Sequence, residues 1–537
     1  LNDQGRLTEP MVLRPGADRY QPIGWDEACA LVAGELRNLE EPGQAVFYTS
    51  GRTSNEAAFL WQLFARRLGT NNLPDSSNLC HESSGRAMLD AIGVSKGTVG
   101  LGDFALADCI FVVGQNPGSN HPRMLATLQA AKRRGARIVS INPLHETGLK
   151  RFRNPQEVDG LLGSGTELAD LHLPVRINGD VALFKGLCKA MLEQEAARPG
   201  TVLDHDFILG HTSGFDAFRT DIDATEWASI VGGSGVGEEL IREAAELAMQ
   251  SRATICCWAM GLTQHHNAVA NIQGILNFLM LRGNLGRPGA GACPVRGHSN
   301  VQGDRTMGIT ERPGADWLDS LRREFGFDPP EAHGLDAVDA IRAMHAGQVR
   351  VFLALGGNFL SASPDSAYTT DALKRCRLTV QVSTKLNRAH LVTGETGLIL
   401  PALARSEADR QPSGLQFVTC ENSMSVVQPS AGQLKPASAA LRSEVRIVAE
   451  LAAATLDEDA HLDWRAWADD YGRIRERIEA AVPGFEDFDS RLERDGHVVL
   501  PNPVRDERRF ATEDGRARFR IHALPDSHPG PGRYLMM

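Results

Sequence analysis

The stretch SSNLCHESSG, residues 76–85, sets a thiol and an imidazole side by side, with a polar run before them and the helix-like run RAMLDAI after. Three chemistries are open to Cys80: inert packing, nucleophilic attack, or ligation of a soft metal. Neighbouring side chains rarely hydrogen-bond to each other, so a nucleophilic Cys80 would need a base from elsewhere in the chain. The start of the following helix favours the thiolate, the form that attacks or ligates. A second stretch, GNLGRPGAGACPVRGHSNVQG (283–303), is broken by glycines and two prolines and predicts a long ordered loop without regular structure, which is usually functional. Arg296 sits inside it, and a guanidinium on a glycine-lined loop makes a good anion clamp.

Two further motifs carry less. GGSGVG (232–237) has the look of a dinucleotide-binding loop, but it follows TEWASIV rather than a strand, so it predicts a loop opening the helix EELIREAAELAMQ. His265 and His266 are adjacent, point in different directions, and have no carboxylate at ligand spacing, so they predict a loop pair.

The elements that position these residues repeat one local pattern: a Val- and Ile-rich run ending in Gly, Asn or Pro, then a helical segment. CIFVVGQNPGSNHP (109–122), ARIVSINPLHE (136–146), ATICCWAMGLTQ (253–264), VRVFLALGGNFL (349–360) and LTVQVSTKLN (378–387) are the clearest cases. Apolar runs without alternation suit strands covered on both faces, as parallel sheets require. In HPRMLATLQAAKRRG the residues Met124, Leu125, Leu128 and Ala131 share one helical face. The fold class is therefore α/β, with mostly parallel sheets between helices, and the loops at the carboxyl ends of the strands build the ligand site. Their glycines and asparagines admit a ligand to the backbone, and a polyanion suits the helix starts that follow.

The chain has 537 residues, more than one hydrophobic core usually supports. A formal charge of −11 argues against nucleic acid or an anionic membrane as partner, and no apolar run is long enough to span a bilayer. None of the nine cysteines forms a C-x-x-C pair, which leaves no visible zinc ribbon or iron–sulfur run and fits a reducing, cytoplasmic setting. No signal peptide can be read at Leu1, and both ends look cut.

Taken in order, QPIGWDEACALVA, YTSGRTSNEAAFLWQLFARRLGTNN, SSNLCHESSG, GQNPGSNHP, INPLHE, RINGD, GLTQ, GNLGRPGAG, PVRGHSNVQG and LILPALARSEAD resemble the molybdopterin oxidoreductases, specifically the formate-dehydrogenase-like catalytic subunits. The resemblance implies two interleaved αβα domains: 1–77 with 298–455, and an inserted domain 78–297 carrying the molybdenum-ligand loop. A helical connecting segment over 456–525 would follow, with the start of a truncated C-terminal dinucleotide-binding barrel at 526–537. Cys80 and Arg296 then fall near the two crossings between domains, where a shared site is expected.

The implied cofactor is molybdenum held by bis(molybdopterin guanine dinucleotide), with a [4Fe–4S] cluster only in a segment outside this chain. Cys80 would ligate the metal, His81 would take a proton, and Arg296 would hold a substrate carboxylate. Gly114, Asn116, His121, Asn142 and Asp180 would serve one nucleotide tail, with the Asp180 carboxylate on a guanine edge. Gly261, Thr263, Gln264, Gly297 and His298 would line the inner pterin, and Gly357, Asn358 and Thr384 the other tail. His298 stands where formate dehydrogenases of this type have glutamine, Glu82 where they have glycine, and Asn142 at a frequent aspartate position. These departures resemble a subgroup linked to acid resistance. The reaction implied is two-electron oxidation of formate or a similar small substrate, with an electron-transfer partner. The alternatives are a reductase of oxyanions or S- and N-oxides on the same cofactor, a cofactor-free scaffold, and an unrelated cysteine hydrolase.

Overall fold

A computed structural model describes residues 2–526 and 530–533. The chain forms two compact units. The first comprises the chain up to Leu79 with His298–Asn422 and Val426–Leu500; the second comprises Cys80–Gly297, Ser423–Ser425 and the chain from Pro501 on.

In the first unit, strands Ala45–Thr49, Val351–Leu355, Leu378–Ser383 and Thr396–Pro401 run parallel in that order, and Met11–Leu13 and Gln21–Pro22 extend the sheet antiparallel. Successive side chains go to opposite faces, which splits each buried run between two cores. Phe47, Leu353 and Val380 meet helices Asn55–Leu68 and Glu444–Thr455 on one side, and Val46, Phe352 and Ala354 meet Ala337–His345 and Ser366–Lys374 on the other.

The start of Ala337–His345 is set by Asp336, whose carboxylate accepts from the backbone N–H groups of Val338 and Asp339, both at 2.9 Å. Replacing it with alanine orphans both donors. The Asp336→Ala variant is expected to unfold with about 1 kcal/mol less stability, read from the midpoint of its denaturant transition.

The second unit holds a five-stranded, wholly parallel sheet in the order Leu171–Leu173, Arg137–Ile141, Cys109–Val113, Thr254–Trp258, Gly291–Pro294. The chain starts in the middle, builds outward to one edge, then returns to fill the other side. Phe111, Val139, Cys256 and Trp258 face helices Asp180–Ala197 and Ala268–Leu281, and Ile110, Val112, Ile138 and Cys257 face helix Pro122–Arg133. In that last helix Leu125, Leu128 and Ala131 are buried and Met124 packs beside them. The α/β class read from the apolar runs is the fold observed, and among the described residues no closed barrel occurs.

Three expectations meet a different structure. The 283–303 stretch is not all loop: Gly291–Pro294 is a buried edge strand paired with Ile255–Trp258. Gly291 has φ +152°, and a Cβ there would lie 2.6 Å from the Thr98 hydroxyl, so the glycine permits close packing rather than a turn. The 456–525 stretch does not stand apart as a connector. Trp464, Trp467, Tyr471, Ile474 and Phe488 are buried in the first unit's core, whereas Val504, Phe510 and Phe519 belong to the core of the second. Of the barrel start expected at 526–537, residues 527–529 and 534–537 lie outside the described residues. GGSGVG is not all loop: Gly232, Gly233 and Ser234 end helix Trp227–Ser234, and only Gly235, at φ +73°, with Val236 and Gly237 joins it to helix Glu238–Gln250.

Candidate functional site

In the second unit, the carboxyl ends of the strands carry Gly114, Gln115 and Asn116 after Val113, Asn142 after Ile141, Gly261, Thr263 and Gln264 after Trp258, and Arg296 after Pro294. The chain's order reverses between Cys109–Val113 and Thr254–Trp258, the kind of point where α/β sheets open a crevice. The two loops leaving that point touch backbone to backbone. The Gly261 N–H donates to the Gly114 carbonyl at 3.0 Å, and Gly114 has φ +56°.

Cys80 is buried and precedes helix Glu82–Ile92, with its Sγ 3.6 Å from the Met260 Sδ. His81, the residue flanking that helix, is 1% exposed, and its Nδ1 lies 3.0 Å from the Ser84 hydroxyl. Its Nε2 is buried and makes no hydrogen bond of ordinary geometry. Burial first, and then the positive charge of Arg296, hold the imidazole neutral, with its pKa lowered to about 3. Arg296 is nearly buried. Its backbone N–H donates to the Ser423 hydroxyl at 2.9 Å and its guanidinium to the Ser95 carbonyl at 3.0 Å. The Nε2 of His121 lies 3.0 Å from the Arg296 carbonyl. Cys80, His81, His121 and Arg296 therefore form one neighbourhood, although about 215 residues separate its ends in sequence.

A second neighbourhood centres on Glu146. Its carboxylate accepts from Asn116 at 2.6 Å and from Asn142 at 3.1 Å, tying two strand ends together. Asp180 opens helix Asp180–Ala197, fully buried, with one oxygen 3.6 Å from the Nδ1 of His265. Burial pushes its carboxyl up to about 7, so the side chain expected to meet a guanine as a fixed anion exchanges a proton near neutrality. His265 itself bonds to Asn271 at 2.9 Å, and among the described residues no group of three or more His, Cys, Asp or Glu is placed to hold a metal ion.

Apart from Gly297, which ends the Cys80–Gly297 segment of the second unit, the remaining expected residues lie in the first unit. His298 has its Nδ1 3.5 Å from the Ser76 hydroxyl, and burial and Arg52 lower its pKa. Gly357 at φ +82° accepts from Asn387 at 3.1 Å, the Asn358 side-chain oxygen is buried without a partner, and the Thr384 carbonyl receives the Arg6 guanidinium at 2.9 Å. Gly297 is exposed.

Sequence reasoning missed Glu146, Gln115 and Ser84. The first two sit just after strands, a position that could have flagged them; Ser84 is marked only by its packing. His81 Nε2, Gln115 Oε1 and Thr263 Oγ1 are buried polar atoms without partners, all near strand ends of the second unit. Such atoms are costly unless something satisfies them. A thiol beside a thioether is a donor pair that suits a soft metal, and the polar orphans nearby call for a polar partner.

Residues 6–453 match the family model described as molybdopterin oxidoreductase. An uncharacterized oxidoreductase of Mycobacterium tuberculosis (strain H37Rv) is 51% identical over 536 residues, covering 100% of this chain and 69% of the relative. Formate dehydrogenase H of Escherichia coli (strain K12) is 28% identical over 390 residues, covering 70% of this chain and 51% of that one. The solved structure of acetylene hydratase from Pelobacter acetylenicus matches with a TM-score of 0.72 at 17% identity, over 96% of this chain and 70% of that one, a likeness of fold.

Proposed function

We infer function from one premise: this chain belongs to the molybdopterin oxidoreductases, a family of enzymes that implies molybdenum and a pterin as cofactor. On that premise the protein is a two-electron oxidoreductase of formate or a similarly small carboxylate, and the cofactor is the bis(molybdopterin guanine dinucleotide) form. The observation that carries the reading is the single neighbourhood in which Cys80, His81 and Arg296 meet at the carboxyl end of a parallel sheet.

When bound, the cofactor would supply the redox chemistry, with a metal that changes oxidation state by two electrons. Cys80 would hold the metal through sulfur, a soft donor suited to it. The close-packed Gly114 and Gly261 would let the pterin approach the backbone. Glu146, by fixing Asn116 and Asn142, would order a polar cradle for one nucleotide tail, with Asp180 at the guanine. In the first unit, His298 would face the inner pterin and Gly357, Asn358 and Thr384 would hold the other tail. Arg296 would receive the substrate carboxylate, its guanidinium oriented by the Ser95 carbonyl. His81, shut away from water, would handle the proton that leaves with the electrons. An electron-accepting partner, a cytoplasmic setting and kinship with acid-resistance proteins belong to the same reading, and no described helix is long and apolar enough to cross a membrane.

Lysine at 296 keeps the charge and loses the fork. In the full-length protein, Arg296→Lys is expected to raise the KM for formate on the order of tenfold or more with a smaller change in kcat, as loss of one charge-assisted hydrogen bond implies. An unchanged KM removes Arg296 from the carboxylate role. Turnover with formate, measured against nitrate and S- and N-oxides, separates oxidation from the reverse use of the site.

A further inference from the structure

The His81 ring is held by a chain of three side chains within one unit. The indole N–H of Trp258 donates to the Ser84 hydroxyl oxygen at 3.0 Å, and that hydroxyl lies 3.0 Å from His81 Nδ1. Trp258 and Ser84 are both 0% exposed and His81 is 1% exposed, so the set lies away from bulk solvent. The donor inventory then decides the arrangement. An indole nitrogen can only donate, so it takes one lone pair of Ser84 and offers nothing back. The Ser84 hydroxyl proton has one acceptor in reach, His81 Nδ1. The opposite arrangement, with Nδ1–H donating to Ser84, would leave a buried hydroxyl proton without a partner, at a cost of about 1–3 kcal/mol.

We infer that Ser84, itself oriented by Trp258, is a positioning residue that fixes His81 in the Nε2–H tautomer and so presents a hydrogen-bond donor, rather than a lone pair, at the buried, unpartnered Nε2. This deepens the reading of the Cys80 site and rests on it. A donor at Nε2 can stabilise an anion or an oxygen atom arriving beside Arg296. For Nε2 to accept a substrate proton instead, the ring proton must first move to Nδ1 and the Ser84 hydroxyl must turn away. The donation from Trp258 polarises the hydroxyl and strengthens its bond to Nδ1, which opposes that turn. Ser84 is thus the residue that sets which half of the acid–base pair His81 plays.

The test is nitrogen NMR of the full-length protein labelled with 15N-histidine, with the His81 signals assigned by their loss in His81→Gln. The expected spectrum shows Nε2 protonated and Nδ1 bare. Ser84→Ala should mix the two tautomers, and Ser84→Thr, which keeps the hydroxyl, should restore the parent pattern. A ring proton found on Nδ1 in the parent protein overturns the inference, as does an unchanged tautomer in Ser84→Ala. The spectrum needs neither metal nor substrate. Failure of the redox reading would therefore appear as absent turnover with the tautomer intact, and failure of this inference as the wrong tautomer whatever the turnover.

Discussion

Replacing Cys80 with alanine is expected to abolish turnover, by at least about three orders of magnitude, and to leave the full-length protein depleted of molybdenum. The thiol is buried at the start of a helix, beside the Met260 thioether and one residue from His81, and among the described residues no other cluster of metal-binding side chains competes for an ion. Removing the thiol would delete a bond to the reacting centre, a loss at least as large as deleting a preorganised donor at a transition state, itself about 10²–10³-fold. Cys80→Ser keeps a donor atom but makes it hard, so some metal should be retained while turnover stays low. The control is Cys188, buried in the apolar core of the same unit, where burial pushes the thiol pKa upward. Cys188→Ala should cost stability and spare the metal. Metal analysis together with dye reduction decides the matter: normal molybdenum and normal turnover in Cys80→Ala would remove the residue from the site.

A second large effect is expected at the meeting of Gly114 and Gly261. A Cβ on Gly261 would stand 2.5 Å from both the Cα and the carbonyl oxygen of Gly114, and one on Gly114 would stand 2.6 Å from a Leu262 methyl and 2.8 Å from the Gly261 carbonyl carbon. These neighbours are mostly backbone, fixed to adjacent strands of a sheet buried on both faces, so they cannot yield as a flexible side chain would. Gly261→Ala should destabilise the second unit by about 3 kcal/mol, the upper range for inserting a methyl into a packed interior. Gly114→Ala should cost a similar amount and carry an added penalty from its positive φ. Because each substitution pushes against the other's backbone, the double variant should lose less than the sum. Denaturant unfolding followed by a probe in the second unit measures this; wild-type stability in Gly261→Ala would show that the two loops part easily. Cofactor content should fall with stability, since the crevice between these strands is where a ligand would sit.

The α/β class was legible because five-residue apolar runs such as CIFVV and TICCW need both faces covered, and a short glycine- or asparagine-bearing loop after each run places polar groups at one edge of the sheet. The order of matching motifs carried family membership, since so many local patterns rarely recur in sequence by accident. The edge strand Gly291–Pro294 was hidden for a physical reason. Glycine reads as a breaker, and only the presence of Thr98 against Gly291 turns it into a packing requirement. The helices between Trp464 and Asp495 look charged in sequence, yet Trp467, Tyr471 and Ile474 are buried in the first unit.

By itself, then, the amino-acid order determined that the long apolar runs are strands followed by helices, which faces are apolar, and that a thiol and an imidazole precede a helix. Those properties depend on residues a few positions apart. What the tertiary structure alone decided is who meets whom: Met260 at the Cys80 sulfur, the burial of His81 with Arg296 close by that keeps it neutral, and Trp258, 174 positions from Ser84, donating to the hydroxyl that orients the ring. Such contacts depend on how distant strands pair and helices dock, and a hydroxyl or an indole carries no sign in sequence of the partner it will find.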